Sequence, residues 1–295
     1  MKKTLIKYIA VACLLAALLT VLILMGVSFA AKRQVDARED IPDYVRYLEQ
    51  GYSFDAYSNK QNILFCITDG NELLRAHLFC IDKDKHTLDI LDIPVSAYVT
   101  CDGFSGTIGD AYATSVFTNI ISRMLILNID AYAYISLDGF ASACKMIDLG
   151  ADTILISDTE SYLSGDDKSV KKYYTLLSDF FKRLGELGAV ESATKLSGIL
   201  LNELTTSCNA AEMISLATVA SKVRLSNSNI HLVPGADCMI DGREVYAPDP
   251  EELATLLNDN FRVAGVSVSA SELGLIKLTD KKPLFSGLPT KLTDY

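Results

Sequence analysis

Three aspartates, one arginine and three lysines are the residues of this chain best suited to work on a charged group. Asp69, Asp166 and Asp167 offer the hard carboxylate oxygens that divalent cations take. Arg75, Lys168, Lys171 and Lys172 offer positive charge of the kind that meets negative charge developing on phosphoryl oxygens. Each group also has an ordinary structural use. An aspartate after a strand or before a helix is commonly a turn or cap residue, and lysines along an amphipathic helix usually stand in water. His77 and His86 sit in or beside a hairpin with no partner at metal-ligand spacing. The self-contained catalytic signatures are missing: no Gly-x-Ser-x-Gly elbow, no His-Glu-x-x-His, no phosphate-binding loop. Gly103-Phe104-Ser105-Gly106 reads as a plain loop.

These residues are positioned by alternating strands and helices. The apolar run Asn62 to Thr68, closed by Asp69-Gly70, reads as a buried strand and a turn. Ala76–Asp82 and Thr87–Ile93 are two more strands, joined by the polar link Lys83 to His86 as a hairpin. Ala111–Leu127 has helical spacing, Ala131–Leu137 alternates as a strand, and Asp138–Leu149 reads as a helix capped by Asp138. Ala151–Ser157 reads as a strand. From Asp167 to Leu187 a helix is expected, with Val170, Tyr173, Tyr174, Leu177, Phe180, Phe181 and Leu184 on one side. Further helices are expected over 192–204, 210–222 and 251–261, and a strand ends at His231 to Gly235. Gly265 to Ala270 alternates weakly as a strand. The pattern predicts an α/β fold: a central mixed β-sheet flanked by helices on both faces.

The N-terminus bears on topology. Lys2, Lys3 and Lys7 precede an uncharged run from Tyr8 to Ala31, long enough to cross a bilayer as a helix. The lysines before it, and Asp36, Glu39 and Asp40 after it, predict a cytoplasmic N-terminus (1–7), a single-pass membrane anchor (8–31) and an extracytoplasmic remainder. Ser28-Phe29-Ala30 has the form of a signal-peptidase site, so cleavage is the competing reading. Residues 32–60 form a spacer, 61–261 the folded domain, and 262–295 a C-terminal extension. Removing residues 1–31 takes three lysines and no acids from 27 basic and 37 acidic residues, leaving 24 against 37, or −13. So acidic a domain, with no polybasic patch, argues against nucleic acid as a partner. Seven cysteines show no zinc-type spacing. Cys66 and Cys80 fall inside strands, where a buried thiol behaves as a small hydrophobe.

Several segments, in order, resemble the LytR-CpsA-Psr (LCP) family. Asn62-Ile63-Leu64 leading to Asp69 is similar to its first strand and following aspartate. Ile81-Asp82-Lys83 through Leu91-Asp92-Ile93-Pro94 resembles its next two strands. Ile129-Asp130-Ala131-Tyr132, Leu137-Asp138-Gly139-Phe140 and Ile147-Asp148-Leu149-Gly150 resemble its central unit. Gly165-Asp166 precedes a long helix as in the family, and His231 to Gly235, Asp241-Gly242 and Pro248-Asp249 are similar to its closing elements. The resemblance implies transfer of a glycopolymer phosphate from a polyprenyl pyrophosphate carrier onto peptidoglycan. It further implies a lipid pocket between sheet and helices, arginines on the pyrophosphate and aspartates on a magnesium ion.

Against that pattern most charged positions have changed. Asp69 stands at the first metal aspartate, but Leu74 takes the place of the second and Glu72 that of an arginine. Gly70-Asn71 replaces a Ser-Arg pair. Val95 and Ser96 follow the Ile-Pro pair where an arginine and an aspartate are usual. Ser169 and Lys172 stand where the pocket helix carries arginines, and the segment between Gly150 and Gly165 is nearly all missing. Three readings follow. One is a degenerate, non-catalytic LCP-like protein of cell-envelope biogenesis that binds or scaffolds isoprenoid-linked or wall glycopolymer, or contacts other envelope proteins. The second is a divergent phosphotransferase with Arg75 and Lys172 at the pyrophosphate and Asp69 on Mg²⁺. The third is a structural or sensory ectodomain without a ligand pocket. The stripe Tyr173, Tyr174, Phe180 and Phe181 is expected to pack the core, with a lipid pocket lining as its alternative use.

Overall fold

A computed structural model describes residues 59–295 apart from 102, 115, 210, 211, 213, 214, 217, 218, 221, 263–265, 279–281 and 286, and apart from the side chains of 189, 190, 193, 197, 200 and 201. The expected anchor over 8–31, and all but the last two residues of the spacer, lie outside these residues. Among the described residues no helix is long and apolar enough to cross a membrane.

Three strands in immediate succession start the fold: β1 (Lys60–Asp69), β2 (Glu72–Asp82) and β3 (Thr87–Ile93), an antiparallel meander. The β1–β2 turn has two residues, and Gly70 opens it at φ +56°, a conformation that glycine adopts without a Cβ clash. A hairpin of β4 (Tyr98–Cys101) and β5 (Phe104–Thr107) follows, so Gly103 to Gly106, expected as a loop, is the turn and second strand of a hairpin. The helix expected over 111–127 is split. α1 (Ile108–Tyr112) has a Thr107–Asp110 capping box, and α2 (Phe117–Leu125) ends where Ile126 turns to φ +48°. β6 (Ala131–Ser136) then lies parallel to β1.

α3 (Leu137–Met146) is capped by the Ser136 hydroxyl, which accepts from Gly139 N–H at 3.0 Å; the expected cap, Asp138, lies inside the first turn. Ala151–Ser157, expected as a strand, contains a short helix α4 (Thr153–Ser157). Asp152 accepts from the Ile154 and Leu155 amides, and this cap overrides the β-branched character of the run. A further turn, α5 (Ser161–Ser164), ends at Gly165 at φ +66°, and α6 (Asp167–Asn202) begins beside it. The two helices expected over 167–187 and 192–204 join there with a break at Gly188, whose φ 75° and ψ 166° are not helical. Of the helix expected over 210–222, residues 212, 215, 216, 219 and 220 are helical; seven of the others lie outside the described set.

β7 (Leu204–Thr206) and β8 (Asn229–Leu232) complete a six-stranded mixed sheet in the order β7-β6-β1-β2-β3-β8. β9 (Gly235–Ile240) and β10 (Arg243–Pro248) pair as a hairpin around Asp241-Gly242. α7 (Pro250–Leu256), capped by Asp249, runs into a π turn, Leu257–Phe261. The expected strand over 265–270 does not form: residues 266–269 have no regular structure and Ala270–Glu272 is a 3₁₀ turn.

Strand alternation sorts the core into two layers. Leu64, Cys66, Leu78, Cys80 and Leu91 face α1, α2 and α7. Ile67, Ile81, Leu88, Ile90 and Ile135 face α3 and α6. Helices therefore cover both faces, as expected. The described cysteines are free thiols, with Cys66 and Cys80 fully buried in the strands.

Candidate functional site

The second layer holds a charged centre that nothing apolar accounts for. On β2, Arg75 and His77 are two residues apart and share the face with Ile81; on β3, Asp92 is the direct cross-strand partner of His77. Arg75, His77 and Asp92 are exposed by 2%, 0% and 1%. Such burial is costly unless every group is answered.

The answers come from α4, α5 and α6, about 80 residues further on. Arg75 Nε donates to the Ile156 carbonyl at 2.7 Å, and Nη2 donates to the carbonyls of Leu155 (2.8 Å) and Asp158 (2.7 Å). Its guanidinium also lies over the rings of Tyr173 (4.2 Å) and Tyr162 (5.1 Å). Asp92 Oδ2 accepts from Tyr162 OH at 2.5 Å and from Tyr174 OH at 2.8 Å. His77 Nδ1 sits 3.1 Å from Asp92 Oδ1, close enough for attraction although poorly aligned for a hydrogen bond. On its other side His77 Nε2 meets Tyr173 OH at 2.7 Å. With a hydrogen on Nδ1, His77 Nε2 accepts from the Tyr173 hydroxyl.

Burial pushes the Asp92 carboxyl up, but His77, Arg75 and Tyr162 outweigh it and hold the group below the usual carboxylate range. Burial also lifts Tyr162, Tyr173 and Tyr174 well above the ordinary phenol, so none is a ready nucleophile. For Arg75, burial opposes the charge, and Tyr162, Tyr173 and Asp92 more than restore it. The centre thus gathers one cation, one anion, one imidazole and three phenols, all buried, with Arg75 Nη1 and His77 Nδ1 left without a hydrogen-bond partner.

Around it the layer is filled with rings. Phe79 stacks on Phe65 at 5.3 Å and meets Phe181 edge-on at 5.7 Å; Phe140 packs on Phe180 at 5.4 Å. The stripe Tyr173, Tyr174, Phe180 and Phe181 packs the core, as expected from its spacing.

The sequence candidates do not assemble. Asp69 is exposed at the mouth of the β1–β2 turn, in register with Glu72. Lys172 and Lys168 are exposed on α6. Arg75 alone points inward, and its Nε and Nη2 are taken by backbone carbonyls. Asp166 is the cap of α6, accepting from Lys168 N–H and Ser169 OH, while Asp167 lies in its first turn. Leu74 is buried, and Val95 packs against Gly109 at the start of α1. Among the described residues no three His, Cys, Asp or Glu side chains come together as a metal site, and Asp69 stands apart from Asp166 and Asp167, which cap and open α6. His86 lies in the β2–β3 turn, and His231 sits 3.8 Å from Asp89 on the opposite layer from His77.

A cleft of about 280 Å³ lies at the β8 edge. Tyr174, Ile230, His231, Tyr246 and Leu256 form one wall, with Glu252 the acidic group among them; residues 287–290 form much of the other. Gly235 is required at its base, since a Cβ there would meet the Ala247 carbonyl oxygen at 2.5 Å and the Tyr246 ring at 2.6 Å.

The sequence reading missed both the Asp92 centre and this cleft. The two-residue step from Arg75 to His77, and an aspartate inside the apolar run Ile90 to Ile93, were signals for the first. The cleft has no local signal, because it joins β8, α7 and the segment after Gly287.

No protein-family model matches the sequence, and no curated protein does. Solved structures do. Protein gbs0355 from Streptococcus agalactiae matches with a TM-score of 0.58 at 13% identity, over 75% of this chain and 94% of its own. TagV of B. subtilis matches at 0.56 and 13%, over 67% and 94%. TagT, solved bound to LI-WTA, matches at 0.55 and 13%, over 77% and 96%. Each match covers nearly the full length of the neighbour, and in fold the described residues are LytR-CpsA-Psr-like.

Proposed function

We propose that this chain is a membrane-anchored, extracytoplasmic protein of cell-envelope biogenesis that has given up glycopolymer transfer for binding or scaffolding. The observation that carries the reading is the state of Arg75. It is the one candidate cation turned into the layer between sheet and helices, and its Nε and Nη2 donate to the carbonyls of Leu155, Ile156 and Asp158, while Nη1 is buried without a hydrogen-bond partner. A pyrophosphate needs fixed cations facing an open site, whereas Lys172 and Asp69 stand apart in solvent. The ligand class follows the neighbours: TagT is solved with LI-WTA, and a wall glycopolymer or its isoprenoid-linked form is the ligand to expect. The cleft at the β8 edge is the place for it. The anchor is residues 8–31, with residues 1–7 in the cytoplasm.

The aromatic fill of the second layer favours a second reading, a structural or sensory ectodomain with no ligand pocket at all. Purified residues 32–295 separate these readings. Incubation with Mg²⁺ and a polyprenyl pyrophosphate-linked sugar should release no polyprenyl phosphate, while a relative that keeps the arginines turns over. Retention on wall glycopolymer then supports binding, and its absence supports the structural reading. Turnover abolished by both Asp69→Ala and Lys172→Ala would instead establish a rebuilt transferase.

A further inference from the structure

The β8 edge of the sheet is covered, and the same chain segment closes the cleft. Ile230 N–H donates to the Thr290 carbonyl at 2.8 Å, and Leu292 N–H donates to the Ser228 carbonyl at 3.1 Å. Between these bonds Asn229 and Lys291 face each other as an isolated antiparallel bridge. A 3₁₀ turn (Leu292–Asp294) then drops Leu292 into the second layer, where it is 1% exposed. Tyr295 lies edge-on against Tyr174 at 5.4 Å and returns its hydroxyl to the Pro289 carbonyl at 2.5 Å. Gly287, Leu288, Pro289 and Thr290 meanwhile wall the cleft opposite Tyr174 and Ile230.

The grip of this segment is slight for what it covers. Among the described residues, two backbone hydrogen bonds join 287–295 to the rest of the domain. Gly287 at φ +85° is the kind of position where a chain can swing. On β1 and β2, by contrast, both edges of each strand are paired. Local openings draw on segments with few backbone bonds and few buried side chains.

We propose that residues 287–295 are a detachable strap: closed, it seals the cleft and the sheet edge, and open, it exposes both together. This deepens the binding reading by naming how access to that site is controlled, and it rests on that reading only for what enters.

Hydrogen–deuterium exchange on the full chain in nonionic detergent tests the motion without any ligand. The Ile230 and Leu292 amides should exchange together, at least a hundredfold faster than those of Leu64 and Leu78. Asn229→Cys with Lys291→Cys supplies the lock. Opposed residues between widely spaced hydrogen bonds have Cα atoms about 4.5 Å apart, within the range of about 4.4–6.8 Å that a disulfide spans. The oxidised pair should slow both amides to the rate of the central strands, and reduction should release them. Exchange at Ile230 and Leu292 as slow as at Leu64 in the unmodified chain overturns the proposal. So does fast exchange that the oxidised pair leaves unchanged. A strap that opens while glycopolymer fails to bind keeps this inference and removes the binding reading instead.

Discussion

Replacing Arg75 by methionine is the sharpest test of the claim that this arginine is structural. Its three hydrogen bonds run from a charged donor, and bonds of that kind contribute about 1.5–3 kcal/mol each. A simple sum of roughly 5–9 kcal/mol is too large, because losses within one network do not add. The Leu155 and Asp158 carbonyls belong to half-buried residues that water can reach. Ile156 is fully buried, so its carbonyl is stranded outright, at about 1–3 kcal/mol. Asp92 keeps its tyrosines and His77 but loses its neighbouring cation, which places it toward the low end of about 3–5 kcal/mol for breaking a buried pair. Methionine refills most of the arginine stem. Together these set an expected loss of about 4 kcal/mol, or about 1.5 M in urea midpoint at a slope of about 2.5 kcal/mol per molar. The assay is urea unfolding of residues 32–295 followed by tyrosine fluorescence and circular dichroism. Arg75→Lys should lose nearly as much, since an ammonium lacks the planar fork that reaches three carbonyls at once. A midpoint shift under about 0.5 M for Arg75→Met would refute the reasoning and return Arg75 to the list of groups free for ligand.

Asp92→Asn should destabilise the domain at pH 7, and the difference should shrink in acid. A carboxyl held below its unfolded value near 3.9 contributes stability that is present above that value and lost as pH falls through the folded pKa. Unfolding at pH 7 and pH 3 checks this; a constant difference would contradict it. Thiol titration makes a third case. Burial pushes the Cys80 and Cys144 thiols up to about 12 and raises Cys66 as well. At pH 8 a thiol of that kind is about one part in ten thousand thiolate. These three should ignore an aromatic disulfide reagent in the folded protein and react in urea, and prompt reaction of Cys66 in the folded state would mean the first layer opens. Lys172→Ala and Asp69→Ala, both at exposed positions, should each change unfolding free energy by less than about 0.5 kcal/mol; a larger loss by either would reveal a contact not seen here.

How far residues foretold structure depended on how local the cause was. β1, β3 and the Ala76–Asp82 part of β2 were legible as runs of alternating or continuous apolar residues bounded by polar turns, whereas Glu72 to Arg75, expected outside the strand, form its first four residues. The first part of α6 was legible from its stripe of Val170, Tyr173, Tyr174 and Leu177, all four now buried. Thr153 to Ser157 was misread because Ile154, Leu155 and Ile156 look like strand, while the helix depends on one side chain outside them, Asp152. Asp241-Gly242 carried a hairpin signal that was used only as a family marker. The site was the least legible part. Parity puts Arg75 and His77 on one face, but nothing within a strand says that Tyr162 and Tyr174 will arrive to answer Asp92 and Tyr173 to answer His77. Charged side chains read as ligand-binding groups when their true partners were carbonyls and phenols far along the chain.

The mixed order of the sheet also sets a schedule for folding. The meander of β1 to β3 is local and can form early, yet its remaining neighbours are parallel strands that arrive late: β6 at Ala131 and β8 at Asn229. Contacts of such sequence separation close slowly, because the loop entropy is lost before the pairing compensates it. Until residues 155–174 are in place, Arg75 and Asp92 sit on an apolar face with no partners. The early meander is therefore an unfinished surface with an exposed edge on each side, open to pairing with other chains. A folding helper that shields strand edges would act on this protein while the second half of the domain is still being delivered, and refolding yield should fall with concentration for that reason.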